Sequence, residues 1–129
     1  MAVPTLILDR NHLDMMADGD LELQRELFGL FRTQAELWGR LLDAGAPEGA
    51  WADAVHSLKG SARGLGAWAL AKACENAEVK PGQAFTRIER AARVAIIREV
   101  LDQTLQAIAQ CDYDLALSSL RSRSKVVNS

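Results

Sequence analysis

The amino-acid sequence predicts an all-α fold, an antiparallel up-and-down four-helix bundle with a short extra helix at its N-terminus. Apolar residues recur at spacings of three and four along almost the whole chain, and no window alternates in the manner of a strand. Only three prolines occur, and two of them stand with glycine in the short segments Gly45–Gly49 and Lys80–Gln83. Because short connections join antiparallel neighbours, these segments favour four amphipathic helices running alternately up and down.

The size and composition are those of one globular domain. The chain has 129 residues, of which 49% are hydrophobic and 25% charged, so it can bury a core of its own and is expected to be a monomer. Its formal net charge of −2 gives no reason to expect nucleic-acid binding, which normally needs a basic face, and no apolar run approaches the roughly 20 residues that cross a bilayer. We expect a bundle domain over residues 8–110 and a partly disordered C-terminal tail over residues 111–129.

The cysteines favour a cytoplasmic protein. Cys74 and Cys111 are far apart in the sequence and form no CxxC pair, so both are expected to be reduced thiols. The N-terminal segment favours the same compartment, because it lacks the basic region that begins a signal peptide.

The first two helices are separated by an Asp-Gly-Asp break. A short first helix is predicted over about residues 9–17, and the break offers Asp20 as the cap of the second helix. The second helix should extend to about Asp43. Its apolar stripe, which has one polar member, is expected to face the core and consists of Leu23, Leu27, Leu30, Phe31, Gln34, Leu37, Trp38 and Leu41.

Three further helices follow the same periodicity. They are predicted over about residues 50–64, 67–79 and 85–109, the last being the longest of the three. The core stripe of the third helix repeats at spacings of four, three, four and three and consists of Trp51, Val55, Leu58, Ala62 and Leu65.

A second stripe on the third helix is turned away from the core. His56, Lys59, Gly60 and Arg63 stand at relative positions 0, +3, +4 and +7, which place them on one side of a helix. His56 is therefore predicted to be exposed near the middle of a rigid helix. A catalytic histidine normally lies in a pocket with an orienting partner, whereas an exposed one suits a group that other proteins deliver and remove.

These residue types suit phosphoryl transfer. His56 can attack phosphorus through the ring nitrogen that faces solvent, Nε2, and form a phosphoramidate. Lys59 can offset the added negative charge, with Arg63 as a weaker second cation. Glycine costs about 1 kcal/mol against alanine inside a helix, and its use at Gly60 is explained if another protein must approach the imidazole closely.

The run from His56 to Gly66 resembles the signature of histidine-containing phosphotransfer (HPt) domains, H-x-L-K-G-S/A-S/A-x-x-L-G, and matches it at every specified position. Two flanking segments are similar to the family as well. Asp18–Phe31 resembles the start of its second helix, and Ala67–Glu78 resembles the helix that follows the motif, with its L-x-x-x-C-x-x-x-E pattern. The resemblance covers about residues 8–109.

The resemblance implies a phosphorelay carrier whose partners are response-regulator receiver domains and a histidine kinase. It implies no cofactor and no metal on this chain, since the magnesium needed for transfer is held by the receiver. It places Glu78 close enough to the phosphorylated ring to hydrogen-bond it. Ser61 either supports the site or bonds back to its own helix. By analogy with the family's docking surface, Leu13, Met16, Phe28 and Ala52 should surround the histidine.

Two other functions compete with the carrier. An adaptor would dock two-component signalling proteins without needing phosphate, and it would tolerate replacement of His56 by glutamine. A hydrolase or metal site built from His56 and Glu78 lacks both an HExxH motif and a third ligand at suitable spacing. A histidine kinase is disfavoured because the sequence has neither a P-loop nor a glycine-rich ATP lid.

Overall fold

The computed structural model describes residues 6–127 of the chain, with side chains through Arg123, and this part contains helices and no strand. The predicted all-α class is confirmed. The helices are α1 (Arg10–Met16), α2 (Leu21–Leu41), α3 (Glu48–Leu65), α4 (Trp68–Asn76) and α5 (Arg87–Val127).

The four longer helices form the predicted bundle. α2 packs against α3 and α5, and α4 packs against the same two helices, so the contacts close into a ring around one core. α1 lies outside this ring, and its single buried side chain, Leu13, is part of the same core. The largest fully buried side chains are Trp51, Phe28, Leu13, Leu42, Leu58, Leu70, Ile97 and Ile108.

Local sequence signals determine where α1 and α2 begin and where α3 ends. Asp9 and Asp20 cap α1 and α2, because each side chain accepts a hydrogen bond at 3.1 Å from the backbone N–H three residues later. Gly66 ends α3 in the left-handed conformation, with φ of +83°. The hydrogen bond from Leu23 N–H to Asp20 confirms the predicted cap at Asp20.

The core face of α2 agrees only in part with the predicted stripe. Its buried residues are Gln24, Phe28, Phe31 and Ala35, of which Phe31 belongs to that stripe, and Leu27 and Trp38 of the stripe are partly buried against the core. Leucines of the predicted stripe lie on a different side of the helix and are exposed by 38–56%: Leu23, Leu30, Leu37 and Leu41. The helix has two neighbouring apolar stripes, and periodicity alone does not say which of them packs inwards.

Residues 111–127, which the sequence predicts to form a partly disordered C-terminal tail, continue α5 as helix. No glycine or proline interrupts the chain from Arg87 to Val127, and the side chain of Cys111 is buried. Asp112 accepts a hydrogen bond from Arg25 of α2 at 2.8 Å, and Asp114 accepts one from Arg10 of α1 at 2.9 Å. Residues 128 and 129 lie outside the described part. The predicted boundary at residue 110 thus falls inside one helix.

Both cysteines are buried and free. Burial raises the pKa of the Cys74 thiol to about 12, and burial also raises the pKa of Cys111. Cys74 lies in the core and is thus a packing residue. Within residues 6–127, no helix combines the length and apolar character that crossing a membrane requires.

Replacing Gly66 by alanine should lower the free energy of unfolding by about 2–4 kcal/mol. A Cβ at this position would lie 2.9 Å from Cδ2 of His12 and 3.2 Å from the backbone oxygen of Asp9, in addition to the cost of a positive φ. Gly82→Ala is the matched control, because Gly82 has φ of +77° but a Cβ added there would meet no heavy atom within 4 Å. Urea unfolding of both variants separates the two costs, and equal losses would show that the contact with His12 has no effect.

Candidate functional site

α3 holds His56 at the surface. The buried side of the helix is formed by Trp51, Ala54, Val55, Leu58, Ala62 and Leu65, and His56 lies outside this set with its side chain exposed. The helix is fixed on two sides, by α2 and by α4. The imidazole is therefore presented to solvent from a rigid element, as the sequence predicts.

The backbone beside His56 is open. Gly60 lies one turn after His56 and Gly64 lies one turn further, and both are exposed. A Cβ added at either position would meet no heavy atom within 4 Å. No packing within the described residues requires glycine at these two positions, so the space they leave is available to another molecule.

Lys59 is not free in the structure. Its side chain is only 14% exposed, and Nζ donates a hydrogen bond to Oε1 of Glu78, which belongs to the segment after α4. The predicted hydrogen bond between Glu78 and the ring of His56 is not among the hydrogen bonds of the described residues. Glu78 contacts the cation of the motif instead.

Two other motif side chains also have partners away from His56. Oγ of Ser61 donates to Oε1 of Gln34 at 2.7 Å, so this hydroxyl ties α3 to α2 and does not bond back to its own helix. Arg63 is exposed, and its Nη2 lies 4.0 Å from Oε2 of Glu75, which makes a weak surface ion pair. Arg63 can turn towards a ligand at little cost.

A shallow, open groove lies next to the imidazole. Its volume is about 310 Å³. It is lined by Ala52, Asp53, Val55, His56, Glu78 and Val79. Sequence reasoning did not single out Asp53, although its position three residues before His56 was the available signal. The groove thus places two carboxylates near the histidine.

The predicted docking residues divide into two pairs. Met16 is 54% exposed and Ala52 is exposed in the groove beside His56, so both can contact a partner. Leu13 and Phe28 are fully buried, and the prediction that they line a docking surface is wrong. They belong to the core because the buried sides of α1 and α2 are centred on them.

The second histidine has a structural setting. Nε2 of His12 lies 3.2 Å from the carbonyl oxygen of Gly64, at the C-terminal end of α3. Its ring packs edge-on against Trp68 with centroids 5.0 Å apart, and Nε1 of Trp68 donates to Asp9. These contacts fasten α1 to the end of the helix that carries His56, which the sequence did not indicate.

Within the described residues, no three His, Cys, Asp or Glu side chains are grouped so that they could hold a metal ion. The absence of a cofactor on this chain, with magnesium supplied by a partner, stays a prediction from the family resemblance.

Comparison with known proteins agrees with this geometry. The family model described as "Hpt domain" matches residues 22–111. The chain is also similar to the crystal structure of the histidine phosphotransferase ShpA from Caulobacter crescentus, with 36% sequence identity and a TM-score of 0.71. That match covers 89% of this chain and 99% of the ShpA chain. The comparison with curated proteins gave no match.

Hpt domains are phosphocarriers rather than kinases, and their partners are the receiver and kinase proteins of two-component systems. The family match covers most of this chain, and the fold and the exposed histidine agree with it. The chain therefore belongs to the Hpt domain family and has the role of a phosphorelay carrier.

Proposed function

We propose that His56 accepts a phosphoryl group from the aspartate of a receiver domain, or from a hybrid histidine kinase, and passes it to a response regulator. The observation that supports this most strongly is the exposed imidazole on a rigid helix, one turn from a glycine with open space around it. A partner's active site can reach such a histidine without any rearrangement of the bundle.

The proposed step is a displacement at phosphorus. The lone pair of His56 Nε2 forms the N–P bond while the bond between phosphorus and the donor's carboxylate oxygen breaks. The carboxylate leaves with the electron pair, and the Nδ1 proton is retained or released to water. Onward transfer reverses these changes, with the carboxylate of the next receiver as the attacking group. Loss of the phosphoryl group to water is limited if the phosphoramidate is exposed to solvent only briefly between the two partners.

The neighbouring residues have distinct roles in this proposal. Lys59 and the exposed Arg63 supply positive charge to the phosphoryl oxygens, which is the main need of a loose transition state. Gly60 admits the loops of the receiver. Magnesium acts from the receiver's side, so the carrier needs no ligand set of its own. We place the exchange in the cytoplasm, with the carrier as a monomer.

The test is transfer of a labelled phosphoryl group from a charged receiver domain to the intact protein. We expect label that survives base, is lost in acid, and maps by fragmentation to the peptide containing His56. Incubation with ATP alone should leave the protein unlabelled. Label on a carboxylate or hydroxyl, or none from several receivers that bind the folded protein, would contradict the proposal and favour an adaptor.

A further inference from the structure

Glu78 occupies the position from which it can control the charge next to His56. It is bonded to Nζ of Lys59, and Glu78 and His56 line the same groove. The side chain of Lys59 is mostly covered, so the lysine cannot turn freely between partners. Any phosphoryl group on His56 must therefore compete with Glu78 for this cation.

The segment that holds Glu78 is itself fixed. The backbone N–H of Glu78 donates to the carbonyl oxygen of Glu75 at 3.2 Å. The carbonyl of the preceding residue, Ala77, accepts a hydrogen bond at 2.9 Å from Nε1 of the buried Trp51. Trp51 belongs to α3, the helix of His56, so the carboxylate is anchored to the same helix as the histidine. The ion pair is thus a built feature and not a chance surface contact.

The charged side chains near His56 carry no net positive charge before phosphorylation. Glu78 neutralises Lys59, and Asp53 adds a further negative charge to the groove. A phosphoryl group brings one to two negative charges, and phosphohistidine is stabilised by whatever positive charge it can reach. While Glu78 holds Lys59, that stabilisation is reduced.

We infer that Glu78 is a positioning residue that withholds the charge of Lys59 and so keeps phosphorylated His56 poised to release its phosphoryl group. The inference rests on the proposed function, since it concerns the phosphorylated state of the same histidine. It gives Glu78 a role through Lys59: the carboxylate need not touch the phosphoryl group. A carrier that held its group too tightly would accept it but pass it on poorly.

Glu78→Gln tests this inference, because glutamine keeps an acceptor for Lys59 but removes the negative charge. The equilibrium constant for transfer from a receiver should shift about tenfold towards the phosphorylated carrier, a free-energy difference of about 1.4 kcal/mol. In the background Lys59→Met, the same replacement should shift the equilibrium less than about twofold, since there is no cation left to release. Glu36→Gln is the matched control, because Glu36 is paired with Arg40 at 2.7 Å on another helix.

A second measurement does not need a receiver. The protein is phosphorylated with the small-molecule donor phosphoramidate, and the ³¹P resonance of the product is followed against pH. In Glu78→Gln the resonance should titrate at a lower pH than in the wild type, because more positive charge faces the phosphoryl oxygens. Glu36→Gln should titrate as the wild type does.

The outcomes separate the two proposals. If phosphoramidate and receivers both fail to label His56, the proposed function is wrong. If His56 is labelled but Glu78→Gln changes neither the transfer equilibrium nor the ³¹P titration, only the role of Glu78 is wrong. A tenfold shift that persists in the Lys59→Met background would show direct repulsion by Glu78, and would also overturn the inference.

Discussion

The His56→Gln variant is expected to take up no label above background from a charged receiver domain while it keeps the fold of the wild type. Glutamine preserves much of the polarity and size of histidine but offers an amide, whose nitrogen has no lone pair available for attack at phosphorus. His56 is exposed, so the replacement leaves no cavity in the core and should change the free energy of unfolding by less than about 0.5 kcal/mol.

The sequence supplies its own control for this experiment. It contains two histidines, and His12 is bonded to the end of α3 and packed on Trp68. His12→Gln should accept label at the wild-type rate once circular dichroism shows that it is folded. Label on His56→Gln, or loss of label in a folded His12→Gln, would show that His56 is not the residue that carries the phosphoryl group.

The same variant distinguishes the carrier from an adaptor. Receiver binding, measured by calorimetry without phosphate, should be retained in His56→Gln because the docking residues are untouched. An adaptor would also keep its signalling output in this variant, whereas a carrier would lose it. Retained output in the absence of any phosphoryl transfer would therefore contradict the carrier function.

The site could be predicted from the sequence because α3 has one apolar stripe only. Once Trp51, Val55 and Leu58 are placed in the core, the helical period leaves a single orientation for His56 and Gly60. Exposure of the histidine and open space at the glycine then follow from local geometry. The partners of Lys59 and Ser61 do not follow from local geometry, because they lie 19 and 27 residues away along the chain. Periodicity does not determine which side chains meet across helices.

α2 shows where the periodicity argument fails. It has two apolar stripes, and both satisfy the spacing of three and four that predicts a buried face. Phe28 and Phe31 pack inwards, and Phe31 is a member of the predicted stripe, while Leu30 and Leu37 of that stripe remain exposed. Aromatic side chains bury more area than leucines, which favours the observed choice once a core is available to receive them. That comparison requires the neighbouring helices, which a single-helix pattern does not contain.

The helical conformation of the C-terminal part of α5 could not be predicted from the sequence for a similar reason. Its ion pairs join Asp112 to Arg25 and Asp114 to Arg10, across 87 and 104 residues of sequence. The bond from Arg10 also lowers the pKa of Asp114, as expected of a carboxylate paired in the folded state. The polar residues of this segment have the pattern of a tail until the arginines with which Asp112 and Asp114 pair are known.

Replacing Gly60 by glutamate should slow phosphoryl transfer at least about a hundredfold without unfolding the protein. A displacement of about 1 Å between reacting groups is enough for such a loss, and a glutamate side chain one turn from His56 extends several ångströms into the space that the receiver must occupy. The chain itself tolerates the change, because a Cβ at residue 60 meets no heavy atom within 4 Å. Glutamate also favours helix over glycine, so the thermal midpoint should not fall.

Two further variants separate bulk, charge and backbone effects. Gly60→Gln adds the same bulk without charge, and it should block transfer nearly as strongly if steric exclusion is the cause. Gly29→Glu makes the same chemical change within α2, at an exposed position where an added Cβ also meets no heavy atom within 4 Å. This variant should transfer the phosphoryl group at the wild-type rate. The rates are measured by rapid quench with one charged receiver. Since phosphoramidate is far smaller than a receiver, it should still phosphorylate His56 in Gly60→Glu; loss of that reaction too would mean that glutamate disables the histidine itself, and the steric argument for Gly60 would fail.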